Sequence, residues 1–248
     1  MAREIYVVGI GPGAEDMMTV QSLEVLDKCD VIIGYSVYLE LLGDRYKDKE
    51  KLQTPMKQEI RRCEMCFEEA QKDKRVAMIC SGDAGVYGMA APMYEINKRY
   101  PDCELVIVPG VTAALSGAAV LGAPINHDFV VISLSDLLTP WELIEKRLAA
   151  AAMGDFAIVL YNPSSIKRAD YLMKACDILL SNGCKEDRAC GYVVNIGREG
   201  TTSKCLTLGE LRNTKVNMFT TVFIGNSKSY IFNNKLVTRR GYEIWNLC

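Results

Sequence analysis

The sequence predicts an α/β fold made of two α/β domains. Three observations carry that expectation. Short apolar runs alternate with longer stretches of helical periodicity along the whole chain. Several of those runs end in loops rich in glycine and small polar residues, where open α/β sheets bind ligands. Near the middle, Gly122-Ala123-Pro124 interrupts the series and reads as a hinge between residues 1–121 and residues 122–248.

The elements follow in order. Ile5-Tyr6-Val7-Val8 is a strand running into the turn Gly9-Ile10-Gly11-Pro12-Gly13. Thr19 is the best N-cap for the next helix, whose apolar face is Val20, Leu23, Val25 and Leu26 and which reaches Lys28. Val31-Ile32-Ile33-Gly34 is the second strand. A helix over residues 58–72 leads to the strand Arg75-Val76-Ala77-Met78-Ile79-Cys80, and one over residues 87–99 leads to Glu104-Leu105-Val106-Ile107-Val108. Residues 113–121 form a small-residue helix before the hinge. The second half opens with the strand Phe129-Val130-Val131-Ile132-Ser133. Its helix over residues 140–152 has Pro140 at the favoured first helical position. Then come the strand at 156–161, a helix at 166–181, and strands at 189–194, 216–225 and 235–238.

With 248 residues, of which 49% are hydrophobic, the chain can bury a sizeable core. The net charge of -2 argues against general nucleic-acid binding, though a local arginine cluster could still hold an anionic small molecule. No apolar run approaches the ~20 residues of a membrane span, and Met1-Ala2-Arg3-Glu4 leads straight into a strand, so a cytoplasmic protein is expected. Ten cysteines are then expected to be reduced thiols, as in a protein that lives at low oxygen. The pair Cys63-Glu64-Met65-Cys66 has C-x-x-C spacing but falls inside one helix, and Cys184 and Cys190 have the wrong spacing to complete a metal site. No metal is expected, nor an iron–sulfur cluster near the terminal Cys248.

From Gly9 the turn satisfies G-x-G-x-x-A, the dinucleotide fingerprint. Its context conflicts with a pyrophosphate. Pro12 sits in the turn, Glu15 and Asp16 place negative charge after it, and the helix starts several residues late. Asp30 precedes the second strand, whereas the ribose-binding acid of that motif closes it. An uncharged or cationic ligand suits the loop better. Two further strands end in Ser81-Gly82-Asp83-Ala84-Gly85-Val86-Tyr87-Gly88 and Pro109-Gly110-Val111-Thr112-Ala113-Ala114, and a later one in Tyr161-Asn162-Pro163-Ser164-Ser165. Asp83 could bind a ribose or cap the following helix. His127 is the only histidine, so a histidine-rich metal site is excluded, and no G-x-S-x-G elbow accompanies it.

These four loops resemble the main motifs of the tetrapyrrole (corrin/porphyrin) methylases. The segment His127-Asp128-Phe129 with Ile132-Ser133-Leu134-Ser135-Asp136-Leu137-Leu138-Thr139-Pro140-Trp141-Glu142 resembles the branch that couples methylation at C-17 to ring contraction in cobalamin synthesis. The likeness runs from residue 4 to about residue 238. It implies two α/β domains with S-adenosylmethionine in the cleft between them, S-adenosylhomocysteine as product, and a homodimer. Carried over by position, Pro12, Gly82, Asp83, Val86, Thr112, Ala113, Tyr161 and Asn162 would contact the cofactor, with Asn195 and Thr220 nearby. The substrate would be a polycarboxylate tetrapyrrole, either metal-free or, as the unpaired cysteines favour, cobalt-loaded. Ring contraction needs proton transfers, for which His127, Asp128, Ser135 and Asp136 are candidates. Lys167, Arg168 and Arg198 could hold substrate carboxylates. A C-11 or C-20 methylase of the same family is the rival reading. A nicotinamide oxidoreductase and a non-catalytic tetrapyrrole carrier are the alternatives from other classes.

Overall fold

The computed structural model describes residues 3–165 and 167–242. The chain divides into two compact units, Met1–Ala113 and Ala114–Cys248. The division falls where the helix over residues 113–121 begins, whereas the sequence places the hinge where that helix ends.

In the first unit, β1 (Arg3–Gly9), α1 (Val20–Lys28), β2 (Val31–Tyr35), α2 (Ser36–Glu40), β3 (Glu50–Thr54), α3 (Glu59–Ala70), β4 (Val76–Cys80), α4 (Ala90–Asn97) and β5 (Cys103–Val108) follow in order. The strands form one parallel sheet in the order β3-β2-β4-β1-β5. Successive side chains on a strand face opposite ways, so each central strand supplies two cores. Ile5, Val7, Ile33, Val76 and Met78 pack with Cys63, Cys66 and Phe67 of α3 and Met93 of α4. Val8, Ile32, Ala77 and Ile79 pack on the other side with Leu26 of α1 and Tyr46. Burial of this kind contributes about 25 cal/mol per Å² of apolar surface, which is why β4, buried at every position, anchors the sheet.

The second unit contains α5 (Ala113–Leu121), β6 (Gly122–Ala123), β7 (Phe129–Ser133), α6 (Trp141–Met153), β8 (Ala157–Tyr161), α7 (Tyr171–Ser181), β9 (Ala189–Val194), β10 (Thr202–Thr207), α8 (Leu208–Arg212), β11 (Thr220–Ile224), β12 (Ser229–Phe232) and β13 (Lys235–Thr238). Its main sheet is mixed, in the order β10-β9-β11-β8-β7, with only β7 and β8 parallel neighbours. A small sheet has the order β12-β13-β6, joining the hairpin of β12 and β13 to the strand at Gly122–Ala123. The core joins Ile158, Leu160, Cys190, Val222 and Ile224 to Leu148 of α6 and Leu179 of α7.

Thr19 caps α1 as expected, accepting from the Ser22 N–H at 3.1 Å. Pro140 stands one place earlier than expected, as the N-cap of α6. The helix expected over 166–181 begins at Tyr171, and Ile166 lies outside the described residues, as does Cys248. The strand expected over 216–225 begins at Thr220, because Asn217 turns the chain just before it with its carbonyl Oδ1 accepting from the Phe219 N–H at 2.9 Å.

Candidate active site

In the first unit, the loops after β1, β4 and β5 meet backbone to backbone. Gly11 and Gly82 exchange both main-chain hydrogen bonds, N to O, at 3.1 and 2.7 Å. A Cβ on Gly110 would lie 2.1 Å from the Gly82 carbonyl oxygen, and one on Gly9 would lie 2.7 Å from the Gly110 nitrogen. Only glycine permits this approach, so the glycines of the apparent dinucleotide fingerprint serve to mesh three loops. Ser22 of α1 fastens the mesh by donating its hydroxyl to the Gly9 carbonyl at 2.8 Å.

Asp83 is the polar centre of this cluster. Its Oδ1 accepts from the Gly85 and Val86 N–H groups at 2.8 and 3.1 Å, and its Oδ2 accepts from the Gly110 N–H at 2.9 Å. It therefore latches the loop after β4 to the loop after β5, and α4 starts too late, at Ala90, to be capped by it. A carboxylate has about four acceptor sites, so one remains for a single donor such as a ribose hydroxyl. Thr112 and Ala113 lie beside Gly82, with the Thr112 Cα 3.6 Å from where a Gly82 Cβ would stand. Pro12 is buried next to Gly11. The structure thus gathers Pro12, Gly82, Asp83, Val86, Thr112 and Ala113 into one cluster. The three loops carry Glu15, Asp16 and Asp83 and no lysine or arginine of their own; Arg45, from outside them, pairs with Glu15 at 3.0 Å, so Asp16 and Asp83 are the charges that disfavour a pyrophosphate here.

The second unit builds its cluster from side chains, at the carboxyl ends of β7 and β8. Asn162 takes the left-handed conformation, φ 52°, and its Nδ2 donates to Ser133 Oγ at 2.9 Å. The Tyr161 hydroxyl accepts from the Ala114 N–H, at the start of α5, at 2.7 Å. Arg168 Nη1 donates to Ser135 Oγ at 2.6 Å and stands 3.5 Å from Asp136 Oδ1. The Tyr171 hydroxyl donates to Asp136 Oδ2 at 2.7 Å, and that hydrogen bond raises the phenol above its ordinary pKa. Trp141 packs on the Tyr171 ring with centroids 4.4 Å apart. Asn195, with φ 54°, follows β9, and Thr220 opens β11 opposite Val194, so both lie at this same end of the sheet. Left-handed asparagines at strand ends are uncommon backbone states that collect at binding sites.

His127 and Asp128 lie elsewhere. They precede β7, while Ser135 and Asp136 follow it, and a strand of this length spans roughly 16 Å. The Asp128 N–H donates to His127 Nδ1 at 2.9 Å, and both residues are exposed. Of the three cations, Arg168 joins the cluster, Arg198 lies 5.7 Å from the centre of the Phe219 ring, and Lys167 is exposed. Sequence reasoning missed Ser133 and Tyr171. The available signal was position, since Ser133 ends a strand beside Asn162 and Tyr171 begins a helix one turn after Arg168.

Among the described residues, no group of three or more His, Cys, Asp and Glu could hold a metal ion. Burial pushes the Cys63 and Cys80 thiols up to about 12 and about 11, so they remain uncharged and unreactive at neutral pH. No described helix is long and apolar enough to cross a membrane.

Comparison with known proteins fits this geometry. Residues 4–212 match the family Tetrapyrrole (Corrin/Porphyrin) Methylases. The chain belongs to this family, and it is a methyltransferase. It is 41% identical over 241 residues, 97% of this chain and 100% of the relative, to a probable cobalt-factor III C(17)-methyltransferase of Salmonella typhimurium. It is 42% identical over 246 residues, 96% and 97% of the two chains, to a protein of Methanocaldococcus jannaschii with the same description. Its fold matches the crystal structure of the methyltransferase CobJ with a TM-score of 0.87 at 33% identity, covering 95% of this chain and 99% of that one.

Proposed function

We propose that the protein transfers a methyl group from S-adenosylmethionine to C-17 of a cobalt-loaded tetrapyrrole, cobalt-factor III, and contracts the ring in the same reaction. The observation that carries the methylation is likeness over nearly the whole chain to two relatives described as probable cobalt-factor III C(17)-methyltransferases, and the ring contraction rests on the motif resemblance of residues 127–142. The loops support it physically, since those after β1, β4 and β5 contribute carboxylates and no lysine or arginine of their own, Arg45 being engaged by Glu15 and Asp27, and this suits a sulfonium better than a pyrophosphate.

When bound, S-adenosylmethionine supplies an activated methyl group that leaves its sulfur as the new carbon bond forms. The protein then has to place donor and acceptor in line, a contribution worth several kcal/mol without any protein nucleophile. We assign cofactor contacts to Pro12, Gly82, Asp83, Val86, Thr112 and Ala113, and to Tyr161, Asn162, Asn195 and Thr220. Asp83 is fixed by three N–H groups, so its remaining acceptor site is pre-aimed at one hydroxyl.

Ring contraction adds proton transfers, as a meso carbon leaves the ring and an acetate arm closes a lactone. Asp136 and Ser135 are the groups we assign to them, with Arg168 and Tyr171 as positioning residues. His127 and Asp128 stand at the opposite end of β7 and receive no role in this scheme. The family resemblance further supports a cytoplasmic homodimer with no nucleic-acid or membrane partner. Light scattering of the purified chain tests the dimer, and a monomeric mass would contradict it.

The direct test is anaerobic incubation with methyl-labelled S-adenosylmethionine and either cobalt-factor III or metal-free precorrin-3B. Label is expected in the cobalt compound. Transfer to the metal-free compound alone would reassign the substrate, and transfer to neither would remove the reading.

A further inference from the structure

A pocket of about 220 Å³ lies within the first unit, at the carboxyl ends of β2 and β4. Tyr35, Tyr38, Met56, Glu59, Arg62 and Tyr87 are among its lining residues. Arg62, in the first turn of α3, is only 5% exposed. Its Nε donates to the buried Thr54 Oγ1 at 2.8 Å, its Nη2 donates to the Pro55 carbonyl at 3.2 Å, and its guanidinium stands 5.8 Å from the centre of the Tyr35 ring. These partners are all neutral. Among the described residues no carboxylate forms an ion pair with it; Glu59, on the pocket wall, instead accepts from the Lys57 N–H at 3.2 Å.

That is unusual for a buried charge, which ordinarily requires a counter-charge to offset its lost hydration. Arg188 and Arg168, with side chains 11% and 16% exposed, each face an aspartate. On whole-residue exposure Arg62 is buried whereas both of those are only half-buried. Its Nη1 donates to no acceptor among the hydrogen bonds of the described residues, and no fully buried polar side-chain atom among those residues lacks a partner, so Nη1 keeps some solvent access on a residue that lines the pocket. The fork is held on one side by Thr54 and Pro55 and offers its other side to a ligand.

We infer that this pocket binds one carboxylate side arm of the tetrapyrrole, with Arg62 as its counter-charge. The volume is below the roughly 300–1,000 Å³ of a pocket that encloses a whole drug-sized molecule, so it fits an arm and not a macrocycle. The tyrosine rings and Met56 suit the methylene stem of such an arm, and guanidinium matches a carboxylate in shape and charge. The inference rests on the tetrapyrrole reading above. A second source of the same chemistry is the methionyl carboxylate of the cofactor, and the experiment separates the two.

The test compares wild type with Arg62→Met and Arg62→Lys. Binding of a uroporphyrin octacarboxylate is followed by its visible absorption, and binding of S-adenosylmethionine by calorimetry, with circular dichroism as the check on folding. Loss of a charge-assisted contact predicts about 10- to 100-fold weaker porphyrin binding for the Met variant, partial retention for Lys, and cofactor affinity unchanged in both. Lys keeps the charge without the fork, so it carries the test if Met does not fold. Unchanged porphyrin affinity in both variants, or a loss confined to the cofactor, would overturn the inference. If wild type transfers no methyl group while the Arg62 dependence of porphyrin binding holds, the pocket stands and the methylation reading falls.

Discussion

The two loop clusters are built in opposite ways. In the first unit, main chain meets main chain, and the one central side chain, Asp83, spends three hydrogen bonds on backbone N–H groups. In the second, side chain meets side chain in two groups, Asn162 with Ser133 and Arg168 with Ser135, Asp136 and Tyr171, linked by the Ser135 N–H donating to Ser133 Oγ at 3.2 Å. A backbone mesh is stiff and tolerates almost no added atom. A side-chain network can lose a member and keep its fold. Substitutions in the first cluster should therefore damage stability and cofactor binding together, while those in the second should damage chemistry with the fold intact.

The largest effect is expected at Gly110. Gly110→Ala drives a Cβ to 2.1 Å from the Gly82 carbonyl oxygen, a backbone clash that no rotamer relieves. Denaturant unfolding should show a loss of about 3 kcal/mol or more, with S-adenosylmethionine binding abolished. Gly85→Ala is the contrast within the same cluster, because its nearest neighbour is the Asp83 carboxylate at 3.3 Å. It should cost under about 1 kcal/mol. Equal losses at the two glycines would break the picture of a mesh.

Asp136→Asn probes the other cluster. Turnover should fall by about 100-fold or more, with the melting temperature and cofactor affinity near wild type, as expected for a lost proton-transfer group. His127→Ala should retain full turnover. A collapse of activity at His127 with none at Asp136 would reverse the assignment. Asp83→Asn comes next in size. The amide can still accept through its oxygen, but its NH₂ then faces the Gly110 N–H, donor against donor. A loss of about 1–3 kcal/mol follows from the unsatisfied contact.

These sites were unequally legible in the sequence. The glycine loops of the first unit are plain in the sequence because each sits at the end of a strongly apolar strand, and glycine spacing marks where backbones touch. For Asp83 the sequence offers a ribose contact or a helix cap; the fold removes the cap, adds a loop-latching role through three backbone N–H groups, and keeps one acceptor site open for a hydroxyl. Arg62 carries no such signal, because its partner Thr54 comes from another element and only packing brings the two together, and Tyr171 is marked only by its place one turn after Arg168, since its partner Asp136 is likewise brought in by packing. The missed strands teach the same lesson. β3, Glu50–Thr54, and β10, Thr202–Thr207, are edges of their sheets, and their polar sequences lack the apolar run that betrays a central strand.

The smallest expected effect lies outside both clusters. Asp30 accepts from the Arg75 guanidinium and from its backbone N–H, and these contacts hold its carboxyl below the usual range. A depressed pKa means stabilisation that is present above about pH 4 and lost as the pH falls through and below that value. The pair is substantially exposed, so Asp30→Asn should cost only about 0.5 kcal/mol at pH 7 and flatten the acid limb of the stability curve. An unchanged acid limb would remove the pair from the account.

The central claim is methylation at C-17 with ring contraction, and carbon NMR of the product tests it most directly. The purified protein is incubated anaerobically with cobalt-factor III and ¹³C-methyl S-adenosylmethionine, and the labelled carbon is located through its couplings. A labelled methyl on C-17 of a contracted, lactone-bearing macrocycle is the predicted result. A label on C-11 or C-20, or on a ring that keeps its meso carbon, would contradict it.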